Sequence, residues 1–290
     1  MPDSVDTIAE LLRQNLDTFT RAERQLAGAL LADYPMSGVG SITRVAENAG
    51  VSTPTVVRML RKLGLTGFPE FQSRLHREVG DIISTPVTKH ESWAREAPAG
   101  HIINRFAEAV TSNISQSLAQ METRDFDACA DLLADGGRAI YVAGGRITRA
   151  IADYFFLHMQ VVRPDVTLIQ SVSNAWPHYL LNVKEDDVLV VFDVRRYENA
   201  TRRLVEMARE SGATVILFTD QWRSPIAPLS DHVLSSRIEV PSAWDSAVVL
   251  MLLAEMLLAA VQERTWHQTR ARMETLEEMF DRTRFFRKFT

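Results

Sequence analysis

Apolar and polar positions between residues 41 and 64 predict two short helices joined by a tight turn. Ser41 is a good N-cap, and the apolar side chains after it recur at the spacing of one helical face. Gly50 stands where the first helix must stop, because glycine accepts a positive φ. Ser52 caps the second helix, and Gly64 ends it. The core-facing positions of that second helix are Val56, Met59, Leu60 and Leu63.

The second helix keeps a polar, basic face. This is the pattern of a helix-turn-helix whose second helix enters the major groove of DNA. An ordinary helical hairpin in an all-α core is the alternative. The residues expected at base edges are Thr53, Thr55 and Arg58, and those expected at phosphates are Ser52, Arg61 and Lys62.

Helical periodicity continues on both sides of this motif and predicts an all-α bundle over residues 1–80. Thr20 and Glu23 form a capping box, and Phe68-Pro69 opens a further helix. Residues 81–100 contain Pro86, Pro98 and Gly100 without a sustained period. They are predicted to be a linker, with room for a short helix.

From residue 101 onward, two helices are followed by apolar runs that alternate with helical stretches. Such runs suit buried parallel strands, which predicts a doubly wound sheet over residues 101–290. The fold class is therefore α + α/β, an all-α helix-turn-helix bundle joined to a parallel-sheet domain. The predicted strands are Ala139–Ala143, Val166–Ile169, Val188–Phe192, Thr214–Phe218 and, more weakly, His232–Leu234. The helices among and after them are expected at Arg146–Gln160, Asn174–Leu181, Asn199–Ser211, Trp244–Thr265 and Arg272–Arg284.

The loops after these strands carry the candidate ligand site. Ligands of open α/β sheets sit beyond the carboxyl ends of the strands, at the switch point. Two glycines let the backbone approach a ligand, the next helix offers free N–H groups to an anion, and arginines add bidentate contacts. Solvated or salt-bridged arginines are the alternative, with Asp193 and Arg195 as one such pair. The candidates are Gly144, Gly145, Arg146, Thr148, Ser171, Asp193, Arg195 and Arg196.

Composition narrows the choice of partners. The chain has 290 residues, enough for two domains, and a formal net charge of −5, which excludes a protein coated in basic surface. Between Arg44 and Arg77, however, six basic residues stand against two acidic ones, a local balance of +4. DNA binding needs such a local patch, because phosphates are neutralised where the Lys and Arg side chains lie.

Several other classes lack their sequence signals. Cys129 is the single cysteine, so no intrachain disulfide forms. The apolar run Ala247–Val261 is shorter than the ~20 residues that span a bilayer and contains Glu255, and the N-terminus carries no signal peptide. A cytoplasmic protein without membrane contact is expected. Histidine spacing predicts no metal site, and the lone Gly-Gly turn predicts no dinucleotide cofactor.

The order of these parts resembles the RpiR-type transcriptional regulators, which join an N-terminal helix-turn-helix to a C-terminal sugar isomerase (SIS) domain. The resemblance implies a homodimer or homotetramer, a palindromic DNA operator, and an effector that is a phosphosugar or a related small anionic metabolite. The stretches that carry it are Val51–Arg58, Leu63–Phe68 with Phe71, Tyr141–Gly145, Thr219-Asp220, and Ser224–Ala227 with Asp231.

This chain departs from the SIS pattern in two loops. SIS domains usually carry a Ser/Thr-rich loop after the third strand that wraps a sugar phosphate. Here that loop reads Asp193-Val194-Arg195-Arg196-Tyr197 and holds no Ser or Thr. The Gly-x-Gly-x-Ser of the first loop becomes Gly144-Gly145-Arg146-Ile147-Thr148, so the hydroxyl shifts and an arginine enters.

The leading hypothesis is a ligand-responsive DNA-binding regulator. It is expected to dimerise through apolar helices such as Val248–Val261. The dimer would place its two DNA-reading helices about one DNA turn (~34 Å) apart. One alternative is a sugar-phosphate isomerase, for which Glu255 is the candidate base. Another is a regulator whose SIS-like domain binds no ligand and serves only as a dimerisation scaffold.

Overall fold

The computed structural model describes residues 6–96 and 100–286, which fall into two units. The helical unit runs up to Ala109 and includes Gln221–Pro228 and Val240–Asp245. The sheet unit contains Val110–Asp220, Leu229–Glu239 and the chain from Ser246 onward. This architecture confirms the predicted fold class. The domain boundary expected at residues 81–100 stays a prediction.

Helices of the first unit follow the predicted order. They are α1 (Ile8–Gln14), α2 (Arg21–Ala32), α3 (Ile42–Asn48), α4 (Thr53–Lys62), α5 (Phe68–Ile83) and α6 (Pro86–Glu96), and α7 (Ile102–Ala119) comes next along the chain. Thr20 and Glu23 form the predicted capping box at the start of α2. The largest side chains that are fully buried in this unit include Leu12, Leu26, Met59, Leu60 and Phe71.

The turn between α3 and α4 has the predicted geometry. Ser41 caps α3 by accepting a hydrogen bond from Arg44 N at 3.2 Å. Gly50 has φ +64°, a left-handed value that glycine adopts without steric cost. The Gln25 side chain closes the turn from α2, donating to the Ala49 carbonyl at 2.8 Å. Ser52 is the N-cap residue of α4 as predicted, but its side chain makes no capping hydrogen bond to the helix and contacts the Thr55 hydroxyl instead.

The segment predicted to be a linker contains α6, so its helical content was underestimated. Thr85 and Thr88 cap this helix reciprocally: Thr85 N donates to Thr88 Oγ1 at 2.8 Å, and Thr88 N donates to Thr85 Oγ1 at 3.2 Å. Pro86 is the first residue of the helix, where its missing N–H costs nothing. The linker prediction left room for a short helix, and that helix starts at Pro86.

The second unit is built on a five-stranded parallel sheet in the order β2-β1-β3-β4-β5. Between β1 and β3 the order of strands reverses, which makes their carboxyl ends the topological switch point. The strands are β1 (Ile140–Gly144), β2 (Val166–Leu168), β3 (Val188–Phe192), β4 (Thr214–Asp220) and β5 (His232–Ser236). The helices are α8 (Thr123–Ala134), α9 (Arg149–Val162), α10 (Trp176–Leu180), α11 (Asn199–Glu210), α12 (Val248–Arg264) and α13 (Trp266–Thr283).

Four of the helices predicted among and after the strands start elsewhere than expected. α10 begins at Trp176 and not at Asn174, because Ser173–Ala175 form a turn of 3-10 helix. α9 begins at Arg149 and not at Arg146, because Gly145–Thr148 form a hydrogen-bonded turn. α12 begins at Val248 and not at Trp244, because the Ser246 hydroxyl accepts from Val248 N just before the helix. α13 begins at Trp266, six residues before the predicted start.

Aromatic packing holds α9 on the sheet. The rings of Phe192 and Phe218 stack with centroids 4.5 Å apart, and Phe155 of α9 meets Phe192 edge-on at 5.9 Å. All three side chains are fully buried, so each contributes roughly 1.5–3 kcal/mol of hydrophobic stabilisation. This packing holds the middle of α9 against β3 and β4.

The apolar helix α12 packs inside its own unit, with α8 and α9 as neighbours. Its buried residues are Val249, Leu250, Leu253, Ala254, Leu257, Leu258 and Val261. Intrachain packing thus accounts for much of the apolar run, and the dimerisation predicted for it stays a prediction. No helix in the described ranges combines the length and the apolarity that a bilayer crossing requires.

Candidate functional site

The solvent-facing surface of α4 presents two exposed basic side chains, Arg58 and Arg61. Ser52, the N-cap residue, is also exposed, and Thr53 is half-buried. Thr55 is only 5% exposed, and its hydroxyl contacts Ser52 Oγ at 2.9 Å and accepts from Arg58 Nη2 at 3.2 Å. Thr55 therefore lies under the candidate DNA surface and orients Arg58.

Lys62, predicted to contact phosphate, is engaged within the protein. Its ammonium donates to Glu23 Oε2 at 2.7 Å and to the Thr18 carbonyl at 3.0 Å. The Glu23 side chain is 3% exposed. Burial raises the pKa of Glu23, but the bonds from Lys62 and Thr20 outweigh it and leave this pKa below its usual value. Lys62 thus ties the end of α4 to α2.

A cleft of about 320 Å³ opens beyond the carboxyl ends of β1 and β2, beside the start of α11. It lies at the predicted switch point. Four predicted site residues line it: Gly144, Gly145, Arg146 and Ser171. The polar and aromatic lining residues that were not predicted are Arg149, Gln170, Trp176, Glu198 and Thr201.

Thr148 lies beneath the first loop and fixes its shape. It is 5% exposed, accepts from Gly145 N at 2.9 Å and donates to the Phe192 carbonyl at 2.6 Å. A Cβ on Gly144 would come within 2.8 Å of the Thr148 backbone, a distance that allows only glycine there. The Gly-Gly turn is therefore a packed structure in which one backbone N–H is already bonded.

Glu198 supplies a carboxylate to this cleft. Its Oε1 accepts a hydrogen bond from Arg146 N at 2.7 Å, and a Cβ on Gly145 would meet the same oxygen at 3.0 Å. Glu198 directly precedes α11 as its N-cap residue. Glu198 directly follows the predicted Arg195-Arg196-Tyr197 loop, and this position was the one sequence signal that could have marked it as a site residue. Within the described ranges, the Arg146 guanidinium has neither a hydrogen bond nor an ion pair.

The loop after β3 points its arginines away from the cleft. Asp193 and Arg195 are buried, Arg196 is exposed, and none of the three lines the cleft. The Arg195 guanidinium reaches Glu239, with Nη1 and Oε1 3.9 Å apart. Arg196 has φ +66°, a left-handed conformation that costs a side-chain-bearing residue roughly 1–2 kcal/mol. The predicted Asp-Arg-Arg wall is thus not part of this cleft.

A buried aspartate anchors the same loop. Asp220 at the end of β4 is 0% exposed and accepts from Arg195 N at 2.5 Å and from the Tyr197 hydroxyl at 2.8 Å. Burial and the Asp220 carboxylate raise the pKa of Tyr197 well above its ordinary value. Both contacts precede Glu198 in the chain, so they determine where its carboxylate is presented.

Arg149 braces the opposite wall. Its guanidinium donates to Asp153 at 2.7 Å, to the Ile169 carbonyl at 2.6 Å and to Ser171 Oγ at 3.3 Å. Trp176 closes the same side, its indole N–H donating to the Gln170 carbonyl at 2.7 Å. The wall after β2 is held by side chains and is formed before any ligand arrives.

Glu255, the candidate isomerase base, does not line the cleft. It is exposed and accepts a hydrogen bond from the Tyr154 hydroxyl at 2.8 Å. Across the part of the chain that the structure describes, His, Cys, Asp and Glu form no cluster able to hold a metal ion.

Comparison with known proteins matches both halves of the chain. Residues 6–81 match a helix-turn-helix domain of the rpiR family, and residues 133–260 match the SIS domain. The transcriptional regulator HexR of Pseudomonas aeruginosa is 25% identical over 292 residues, covering 96% of this chain and 97% of its own.

Solved structures share the fold. The sugar isomerase domain of an RpiR transcription factor from Sphaerobacter thermophilus aligns with a TM-score of 0.56 and 22% identity, covering 61% of this chain and 97% of its own. The Vibrio vulnificus NanR protein, complexed with ManNAc-6P, aligns with a TM-score of 0.54 and 15% identity over 95% of this chain and 98% of its own.

Proposed function

The chain belongs to the RpiR-type transcriptional regulators, and we propose that α4 reads an operator whose occupancy a small metabolite in the cleft controls. Its relatives are named as regulators, so the protein is a regulator and not a sugar-phosphate isomerase. The observation that carries the proposal is the exposure of Arg58 and Arg61 on α4, the second helix of the helix-turn-helix.

DNA recognition divides between these two arginines. Arg58 lies one turn into α4, held by Thr55, and a guanidinium in that position can bond a guanine edge bidentately. Arg61 lies near the end of the helix, where contact with a phosphate is expected. Thr53 and Ser52 flank the entry of the helix. Two chains related by a two-fold axis would read the halves of a palindrome.

The effector of the proposal is a small polar metabolite. A cleft of about 320 Å³ suits a ligand of monosaccharide size, and the NanR complex with ManNAc-6P suggests a sugar derivative. Arg146 offers a cation to an acid group of the ligand. A ligand that binds one arrangement of the dimer better than another changes operator affinity by that difference.

The test uses the full chain and double-stranded DNA that wild-type protein enriches from a random library. Arg58→Ala is expected to weaken binding to the enriched sequence by about 1–3 kcal/mol and to relax its specificity. Arg124→Ala is the matched control, because Arg124 is an exposed arginine of the sheet unit. Equal binding by wild type and Arg58→Ala in fluorescence anisotropy would contradict the assignment.

If the sheet unit serves only as a dimerisation scaffold, no ligand should bind in the cleft and change DNA affinity. A metabolite library screened by thermal shift should yield a compound that stabilises the wild-type chain by mass action and changes its affinity for the enriched DNA. If Arg146→Ala abolishes both effects, the cleft is the effector site. A screen in which no compound changes DNA affinity would favour the scaffold.

A further inference from the structure

The cleft contains an anionic group of its own, and the following inference rests on the proposed effector site. Glu198 Oε1 lies 2.7 Å from Arg146 N. Backbone N–H groups of a glycine-rich turn that leads into a helix bind oxyanions. The preceding donor of the turn, Gly145 N, is bonded to Thr148 Oγ1 at 2.9 Å. Both donors are therefore occupied by the protein.

The carboxylate is held in place by the loop that carries it. Asp220 fixes Arg195 N and the Tyr197 hydroxyl, and Glu198 follows within three residues of both. Arg196 adopts φ +66° between them, so the loop keeps a left-handed turn at a position without glycine. Because the surrounding contacts enforce this geometry, Glu198 is part of the wall of the cleft.

The wall of the cleft disfavours binding of a phosphate group. A phosphate ester carries roughly −1.5 to −2 charges at neutral pH, and the Glu198 carboxylate would repel it at short range. It would also find Gly145 N and Arg146 N of the turn already bonded. The exposed Arg146 guanidinium supplies a single compensating charge. Hydroxyl groups fare better, because Glu198 Oε2 accepts no hydrogen bond within the described ranges and is available to them.

We propose that Glu198 determines the specificity of the cleft by occupying the position of a ligand phosphate. The effector is then a phosphate-free, hydroxyl-bearing metabolite, and phosphate esters are excluded. The two side chains suit such a ligand. The Glu198 carboxylate accepts hydrogen bonds from hydroxyl groups, and the Arg146 guanidinium can pair with one acid group.

Inorganic phosphate is the probe. Isothermal titration and thermal shift are run on the full chain at constant ionic strength, with chloride as the reference anion. Wild type is expected to show no specific phosphate binding. Glu198→Ala, which frees Arg146 N, is expected to bind phosphate at least tenfold more tightly. Glu198→Gln keeps the side-chain volume but removes the charge, and it should fall between the two.

Glu210→Ala is the matched control, because Glu210 is an exposed glutamate on the same helix, α11. It should behave as wild type does. Circular dichroism in chloride checks that each variant is folded, and Glu198→Gln carries the test if Glu198→Ala is not. Two results overturn the proposal: phosphate binding by wild type that Arg146→Ala abolishes, or no gain in phosphate affinity in either Glu198 variant.

These measurements involve no DNA, so they are independent of the regulatory role. A gain of phosphate binding in Glu198→Ala with no metabolite that changes DNA affinity would reject the proposed function and keep the specificity role. If sugar phosphates change the DNA affinity of the wild type, the proposed function is kept and the specificity role of Glu198 is rejected.

Discussion

Two arginine pairs in this chain have the same chemistry but different surroundings. Arg58 and Arg61 are exposed on α4, and their guanidinium groups face solvent. Arg195 is buried with its side chain 3% exposed near Glu239, and Arg196 projects from a turn outside the cleft. Helical periodicity decides the first case, because positions 58 and 61 lie on the face opposite the core. Tertiary contacts decide the second, through a loop anchored on Asp220.

The comparison implies that arginines on a helix can be assigned from sequence, whereas arginines in a loop need the structure. It also implies different effects of mutation. Changes at α4 should alter binding and leave stability intact, and changes at Arg195 should do the opposite. Three predictions test this division, beside the Arg58 and Glu198 experiments above.

The largest effect is expected from a carboxyl that the helical unit buries away from α4. Glu78 is 8% exposed; Oε1 accepts from Ile8 N at 2.9 Å, and Oε2 accepts from the Tyr34 hydroxyl. Burial raises the pKa of Glu78 from 4.5 to about 7, against the lowering effect of these two hydrogen bonds. Because the folded-state pKa is the higher one, the protonated carboxyl stabilises the fold at low pH, and this stability is lost as the pH rises through about 7.

We therefore expect the free energy of unfolding to fall by about 3 kcal/mol between pH 4.5 and pH 8 through this group. In Glu78→Gln this loss should be absent, and the variant should be the more stable protein at pH 8. Urea unfolding followed by circular dichroism across this range measures it, with the exposed Glu47→Gln of α3 as control. A wild-type pH profile parallel to that of Glu78→Gln would show that the helical unit tolerates buried charge.

Arg195→Ala should lower the free energy of unfolding of the sheet unit by about 1–3 kcal/mol, because a buried side chain and its contact with Glu239 are lost. Arg196→Ala, an exposed neighbour, should stay within about 0.5 kcal/mol of wild type. Denaturant unfolding of the two variants provides the measurement. Equal and small changes would mean that burial of Arg195 contributes nothing to stability, and the contrast with Arg58 would disappear.

The smallest effect concerns Lys62, which belongs to α4 but, like Arg195, contacts a carboxylate of the protein. Lys62→Met keeps the apolar stem and removes the ammonium, so stability should fall by about 1 kcal/mol as Glu23 loses its partner. Affinity for the enriched DNA and its salt dependence should stay unchanged. A salt slope reduced by about one unit would show instead that Lys62 leaves Glu23 and contacts a phosphate.

Local signals predicted much of the fold. The caps at Ser41 and Thr20 and the glycine at Gly50 act within a few residues, so the sequence contains their whole cause. At Pro86 the sequence left open whether a helix forms, because a proline breaks a helix or begins one according to its position. The reciprocal cap of Thr85 and Thr88 begins α6 there.

The site was less predictable, for a physical reason. Strand order and the switch point located the cleft, and Gly144 to Arg146 were found because they follow a strand directly. Glu198 lies 52 residues beyond Arg146 in the chain, and nothing local indicates that its carboxylate meets that N–H. Its place depends on the anchoring of the loop by Asp220.

The membership of the two units has a consequence for how the chain folds during synthesis. Gln221–Pro228 and Val240–Asp245 belong to the helical unit although the sequence around them forms the sheet unit. The first unit is therefore incomplete until the ribosome has released residue 245, well after its own helices have emerged. A chain truncated after Ala109 would lack both of these later segments of the helical unit.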